Sequence, residues 1–220
     1  EAAEFVLNQH INDKKYKRSR FIELAKQRKT LGFDAAKTLE RATTAAIEIG
    51  TRQGDSMIEV LQAEKELGVD PQDSFARFEA AAIKNKDVPY LLRLADLKKE
   101  LFSMDPEATV EKAIALAELV NKTDDWRSVA SLQKKLGRDP TPYLDRADTA
   151  VFSGEPRELL YELLETARVA MSYGIDSTAR LEKIESILKM ASLDYSNRRA
   201  FSEQLQELKE ITAKVFPKAA

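Results

Sequence analysis

One recurrence constrains this chain more than any other feature. A short signature returns five times: Leu31-Gly32-Phe33-Asp34, Leu67-Gly68-Val69-Asp70-Pro71, Leu101-Phe102-Ser103-Met104-Asp105-Pro106, Leu136-Gly137-Arg138-Asp139-Pro140 and Tyr173-Gly174-Ile175-Asp176-Ser177. Its aspartates stand 36, 35, 34 and 37 residues apart. Glycine after an apolar residue suits the left-handed end of a helix. Aspartate is a preferred N-cap, and proline after it fits the first helical position, where no N–H is needed. Each signature therefore predicts a tight corner at which one helix stops and another begins.

The residues beyond each aspartate repeat as well. Five positions on stand Leu39, Phe75, Val110, Leu144 and Leu181; eight on, Ala42, Phe78, Ala113, Ala147 and Ile184; twelve on, Ala46, Ala82, Ala117, Val151 and Leu188. Offsets of five, eight and twelve share one face of a 3.6-residue helix, and the small members let neighbouring helices approach closely. Between the corners lies a second set of breaks: Asn12-Asp13, Gly54-Asp55, Lys86-Asp87, Lys122-Thr123-Asp124, Gly154-Glu155-Pro156 and Asp194-Tyr195-Ser196. Together the two sets predict helices near 14–31, 35–50, 55–67, 71–84, 88–101, 106–121, 124–136, 140–152, 155–173, 176–192 and 196–216, after a short one near 2–10. No alternating strand pattern interrupts them.

A single hairpin of this kind cannot bury its apolar face, whereas a stack of them builds a continuous core. The expected fold is all-α: one α-solenoid domain over 1–220, made of about five stacked helix-hairpin repeats of roughly 35 residues with terminal capping helices. The repeats fall near 14–50, 55–84, 88–121, 124–152 and 155–192, and 196–216 forms the C-terminal cap. From Lys14 to Leu193, the unit length, the hairpin pattern and the small residues at helix contacts resemble the tetratricopeptide-like helical-repeat superfamily. The Leu-Gly pairs close a helix here, where the tetratricopeptide consensus places Leu-Gly inside the first helix. The resemblance implies a scaffold that binds protein partners and supplies no site residues. The period is also similar to that of pentatricopeptide RNA binders, without a consistent base-reading pair.

Composition narrows the chemistry. Ala, Leu, Glu and Lys dominate, with seven glycines and seven prolines, and charged residues reach 33%, above the usual quarter. The net charge of −2 lacks the overall basic excess of a dedicated nucleic-acid binder. The absence of cysteine excludes disulfides, thiolate catalysis and cysteine zinc sites. No apolar run is long enough for a membrane helix, and the start reads as a trimmed piece, with no initiator Met or signal-peptide pattern. A cytoplasmic location is expected, with a periplasmic or secreted one as the alternative.

The one histidine, His10, reads as an ordinary helix-end residue. The carboxylate pairs Asp124-Asp125 and Glu162 with Glu165 read as solvated faces, and Trp126 and Tyr143 as packing residues. No catalytic residue, metal site or cofactor is expected, so the chain reads as a non-enzyme. Two cationic features stand out. One is a column seven positions after each aspartate: Arg41, Arg77, Lys112, Arg146 and Lys183. It reads first as a ladder of ion pairs between repeats and second as a stripe for an acidic partner. The other is the basic helix carrying Lys14, Lys15, Lys17, Arg18 and Arg20, continued by Lys26, Arg28 and Lys29 and offset only by Glu23. The function expected is a scaffold or adaptor that binds a protein or peptide; the alternative is RNA binding through the basic helix.

Overall fold

A computed structural model describes residues 14–50, 55–150, 156–191 and 193–216. Eleven helices and no strand occur among them: α1 Lys14–Thr30, α2 Ala36–Ile49, α3 Asp55–Leu67, α4 Gln72–Asn85, α5 Val88–Phe102, α6 Glu107–Val120, α7 Thr123–Lys135, α8 Thr141–Ala150, α9 Pro156–Ser172, α10 Thr178–Met190 and α11 Tyr195–Val215. Their ends fall within one or two residues of the expected ones. The helix expected near 2–10, His10, the Asn12-Asp13 break, Gly54, Val151 and the Gly154-Glu155 pair lie outside the described residues.

The corners show why the bounds are so regular. At Gly32 the backbone turns left-handed (φ 79°). There Phe33 N–H donates to Arg28 O at 2.8 Å and Gly32 N–H to Lys29 O at 3.0 Å, the two bonds of a Schellman closure. The same pair closes the helices before Gly68, Gly137 and Gly174. In the third corner, one residue longer, Ser103 takes the left-handed place (φ 53°), and the wider loop closes from Met104 N–H to Lys98 O at 3.0 Å.

The aspartates act one place farther out than expected. Asp34, Asp70, Asp105, Asp139 and Asp176 each accept the N–H two residues on through Oδ1, at 2.9–3.1 Å. The first carbonyl to enter each helix ladder belongs to the next residue: Ala35, Pro71, Pro106, Pro140 or Ser177. Proline is thus the N-cap itself, and the aspartate is an Asx turn just before it. The reason is geometric: a two-residue side-chain turn leaves room for the glycine closure immediately upstream.

Every described member of the three apolar columns is buried. The chain divides into two compact units, residues 1–116 and 117–220, parted within α6 between Leu116 and Ala117. In the first, α1 packs on α2 and α3, α2 on α3 and α4, α3 on α5, and α4 on α5. Phe75 meets Phe102 edge-on at 5.6 Å between ring centres. In the second, α7 packs on α8 and α9, α8 on α9, α9 on α10 and α11, and α10 on α11. There Leu160, Leu164, Ile184, Phe201 and Leu205 share one core. In both units, then, the packing runs between sequence neighbours and between helices two places apart.

Candidate functional site

Arg77, Lys112 and Arg146 of the cationic column each reach a neighbouring helix. Arg77, on α4, donates to Thr44 Oγ1 at 2.7 Å and to the Glu40 carbonyl at 3.3 Å. Its guanidinium also lies 3.9 Å from the Glu40 carboxylate. Lys112, on α6, pairs with Glu79 on α4. In the second unit Arg146, on α8, pairs with Glu118 and lies 4.8 Å over the Trp126 ring. Each of these three cations reaches back two helices, as the ladder reading expects. The exposed pair Arg146–Glu118 stabilises by at most about 1 kcal/mol, whereas Lys112 meets a buried carboxylate. Arg41 is exposed and borders a shallow groove with Lys17 and Glu48. Half-buried Lys183 lends positive potential to Asp148.

A second set of rungs was missed from sequence. At three steps of the register the side chain nine places after one aspartate meets the one four places after the next. Thr43 Oγ1 lies 2.9 Å from Ser74 Oγ, and Thr109 Oγ1 lies 2.5 Å from Glu79 Oε1. In the second unit Arg180 Nε donates to Asp148 Oδ2 at 2.6 Å. Glu185 also stands at offset nine. It pairs with Lys209 of α11 and with Lys189, which together hold its carboxyl down at about 2.

The basic helix α1 is less cationic outward than its sequence implies. Arg18 is 2% exposed, pairs with Glu59 at 2.7 Å and contacts Ser56. It shares the buried stripe of Phe21 and Ala25, since positions 18, 21 and 25 follow the helical period. The expectation that Arg18 lies on a partner-binding face is therefore corrected. Arg20 pairs with Glu23 and Tyr16, and Lys26 with Glu66. Lys17 is half-buried, and the side chains of Lys14 and Lys15 lie outside the described residues.

A cleft of about 840 Å³ lies in the second unit, lined from α7, α9 and α11. Asn121, Asn197 and Gln204 bring amides to its wall; Lys122 and Arg157 bring positive charge, and Asp124, Glu158 and Glu162 negative. Tyr161 presents a ring that is 52% exposed. Two arginines fix the walls. Arg127 of α7 donates to the Glu162 carbonyl at 3.1 Å, and its guanidinium lies 2.7 Å from the Glu162 carboxylate. Arg168 of α9 donates to Gln204 Oε1 of α11 at 3.1 Å. Trp126 is buried and stacks on Tyr143 at 6.4 Å. Among the described residues no group of three His, Cys, Asp or Glu side chains could hold a metal ion, and no helix is long and apolar enough to cross a membrane. No protein-family model, curated protein or solved structure matches this chain.

Proposed function

We propose that the protein is a non-enzymatic interaction scaffold and that the second unit's cleft receives a peptide segment of a protein partner. The cleft carries this reading. Its volume, about 840 Å³, lies in the range of binding sites and suits several residues of an extended chain. Its amides can pair with peptide N–H and C=O groups, and the Tyr161 ring offers apolar area at low entropic cost. The arginine bonds across α7, α9 and α11 hold the walls in place before a ligand arrives, which limits the ordering cost of binding.

The finer architecture belongs to the same proposal: a tetratricopeptide-like α-solenoid of about five hairpins. It is supported by the recurring corners and, within each unit, by rungs linking each helix to the one two places on. The alternative of RNA binding would rest on α1, where acidic residues engage Arg18, Arg20 and Lys26.

The test is affinity capture with mass spectrometry, followed by titration of the captured partner's peptides against wild type, Tyr161→Ala and Gln204→Ala. Loss of at least tenfold in affinity for both variants is expected. Peptides that bind all three proteins equally, or the lack of any captured partner beside turnover of a small substrate, would overturn the proposal.

A further inference from the structure

Glu64 of α3 is 2% exposed, sits among core residues, and has no cation within reach among the described residues. Its Oε1 lies 2.5 Å from Ser74 Oγ of α4; Ser74 Oγ lies 2.9 Å from Thr43 Oγ1 of α2; and Thr43 Oγ1 lies 3.1 Å from the Leu39 carbonyl. These are three contacts in series, ending on an oxygen that can only accept. Each hydroxyl owns one hydrogen. If Glu64 is ionised, two hydrogens serve three contacts and one oxygen pair is left without a proton between its members. If Glu64 carries a proton, three hydrogens serve three contacts, all running the same way: Glu64 to Ser74, Ser74 to Thr43, Thr43 to Leu39 O. A buried chain of this kind is stable only when every member is satisfied.

The surroundings favour the same state. From α1, Arg18 and Lys26 are taken by Glu59 and Glu66. On α5, Lys98 is taken by Glu79, and Arg93 pairs with Asp96. From α4, Arg77 turns to Glu40, Thr44 and Asp73. α2 brings the Thr43 hydroxyl. Burial pushes the Glu64 carboxyl up to about 7 against the opposing contact with the Ser74 hydroxyl, and the charges of Asp73 and Asp70 add to the rise.

We propose that Glu64 carries a proton in the folded first unit up to the edge of neutral pH, and that this neutral acid clasps α3 to α4 and α2 through a one-way hydrogen-bond chain that loosens as the pH rises. In the unfolded chain Glu64 titrates in the ordinary carboxylate range, lower than in the fold. The clasp is therefore at full strength below about 4.5 and is lost as pH climbs through neutrality. Between pH 5.5 and 8.5 the opening constant of these helices should rise about thirtyfold.

Amide hydrogen exchange of the full chain, corrected for intrinsic rates, reads this directly on α3 and α4. Wild type should show the thirtyfold rise; Glu64→Gln, whose amide is a donor at every pH, should rise less than threefold. A flat wild-type profile, or a Glu64→Gln variant that keeps the full rise, overturns the inference. Carbon-detected titration of the Glu64 carboxyl in wild type needs no variant. A midpoint near neutrality supports the clasp, and a midpoint below pH 5 overturns it.

Discussion

Glu64 and Glu79 are two buried carboxyls in the same unit, 2% and 4% exposed. Each touches a hydroxyl from a later helix: Ser74 of α4 for Glu64, and Thr109 of α6 for Glu79. They part in what else arrives. Glu79 receives Lys98 at 2.7 Å and Lys112 as well, while Lys98 also donates to Thr109 at 2.7 Å. Burial would raise the Glu79 carboxyl, but Lys112, Lys98 and Thr109 together hold it below the ordinary carboxylate range. Glu64 meets the same burial without a cation and moves the other way. Two carboxyls of similar solvent exposure thus give an ionised knot in one place and, in our reading, a proton-bearing clasp in the other; the cations at Glu79 and the deeper setting of Glu64 both push that way.

That contrast can be broken from the Glu79 side with the largest effect. Lys98→Met together with Lys112→Met should leave a buried, unpaired carboxylate and cost about 3–5 kcal/mol at pH 7. Urea unfolding would measure the loss, and it should shrink as acid protonates Glu79. Wild-type Glu79 has the opposite pH sign from Glu64: its contribution is present above about 4.5 and fades as pH falls through its lowered range. A smaller effect sharpens the Glu64 side. Ser74→Ala should cost about 1–2 kcal/mol by interrupting the chain. The double variant Glu64→Leu with Ser74→Ala should cost less than the two single changes added together, as a thermodynamic cycle on a shared contact requires. Smallest of all, Glu118→Gln removes an exposed partner of Arg146 and should shift stability by less than about 1 kcal/mol. A loss above about 2 kcal/mol in thermal unfolding would show that this rung bears more than its exposure implies.

The helices were legible because their stops are chemical and local. A glycine closure and an Asx turn lie within about five residues of each other, so the corner needs no distant partner. The buried columns were legible for the same reason, as each follows one helical period. Arg18 was misplaced although the signal was present: it lies three and seven residues before Phe21 and Ala25, on their face, but the run of surrounding cations drew it outward. Glu64 and Glu79 carried a comparable signal, since each occupies a core position one turn on from Leu61 or Phe75. The cleft had no such signal. Its walls come from separate stretches of the chain, and only packing of α9 against α7 and α11 brings them together.

The third corner, where Ser103 and Met104 replace the glycine pattern and one extra residue is absorbed, has a consequence for how such a chain can change. The helix closure and the Asx turn at a corner are both made within the same few residues, so a corner can lengthen without disturbing the helices on either side. Insertions and deletions of single residues should therefore be accepted at these five points and rejected within the helices. A library of one-residue insertions scored for soluble folded protein would draw that tolerance map, with five peaks spaced like the aspartates.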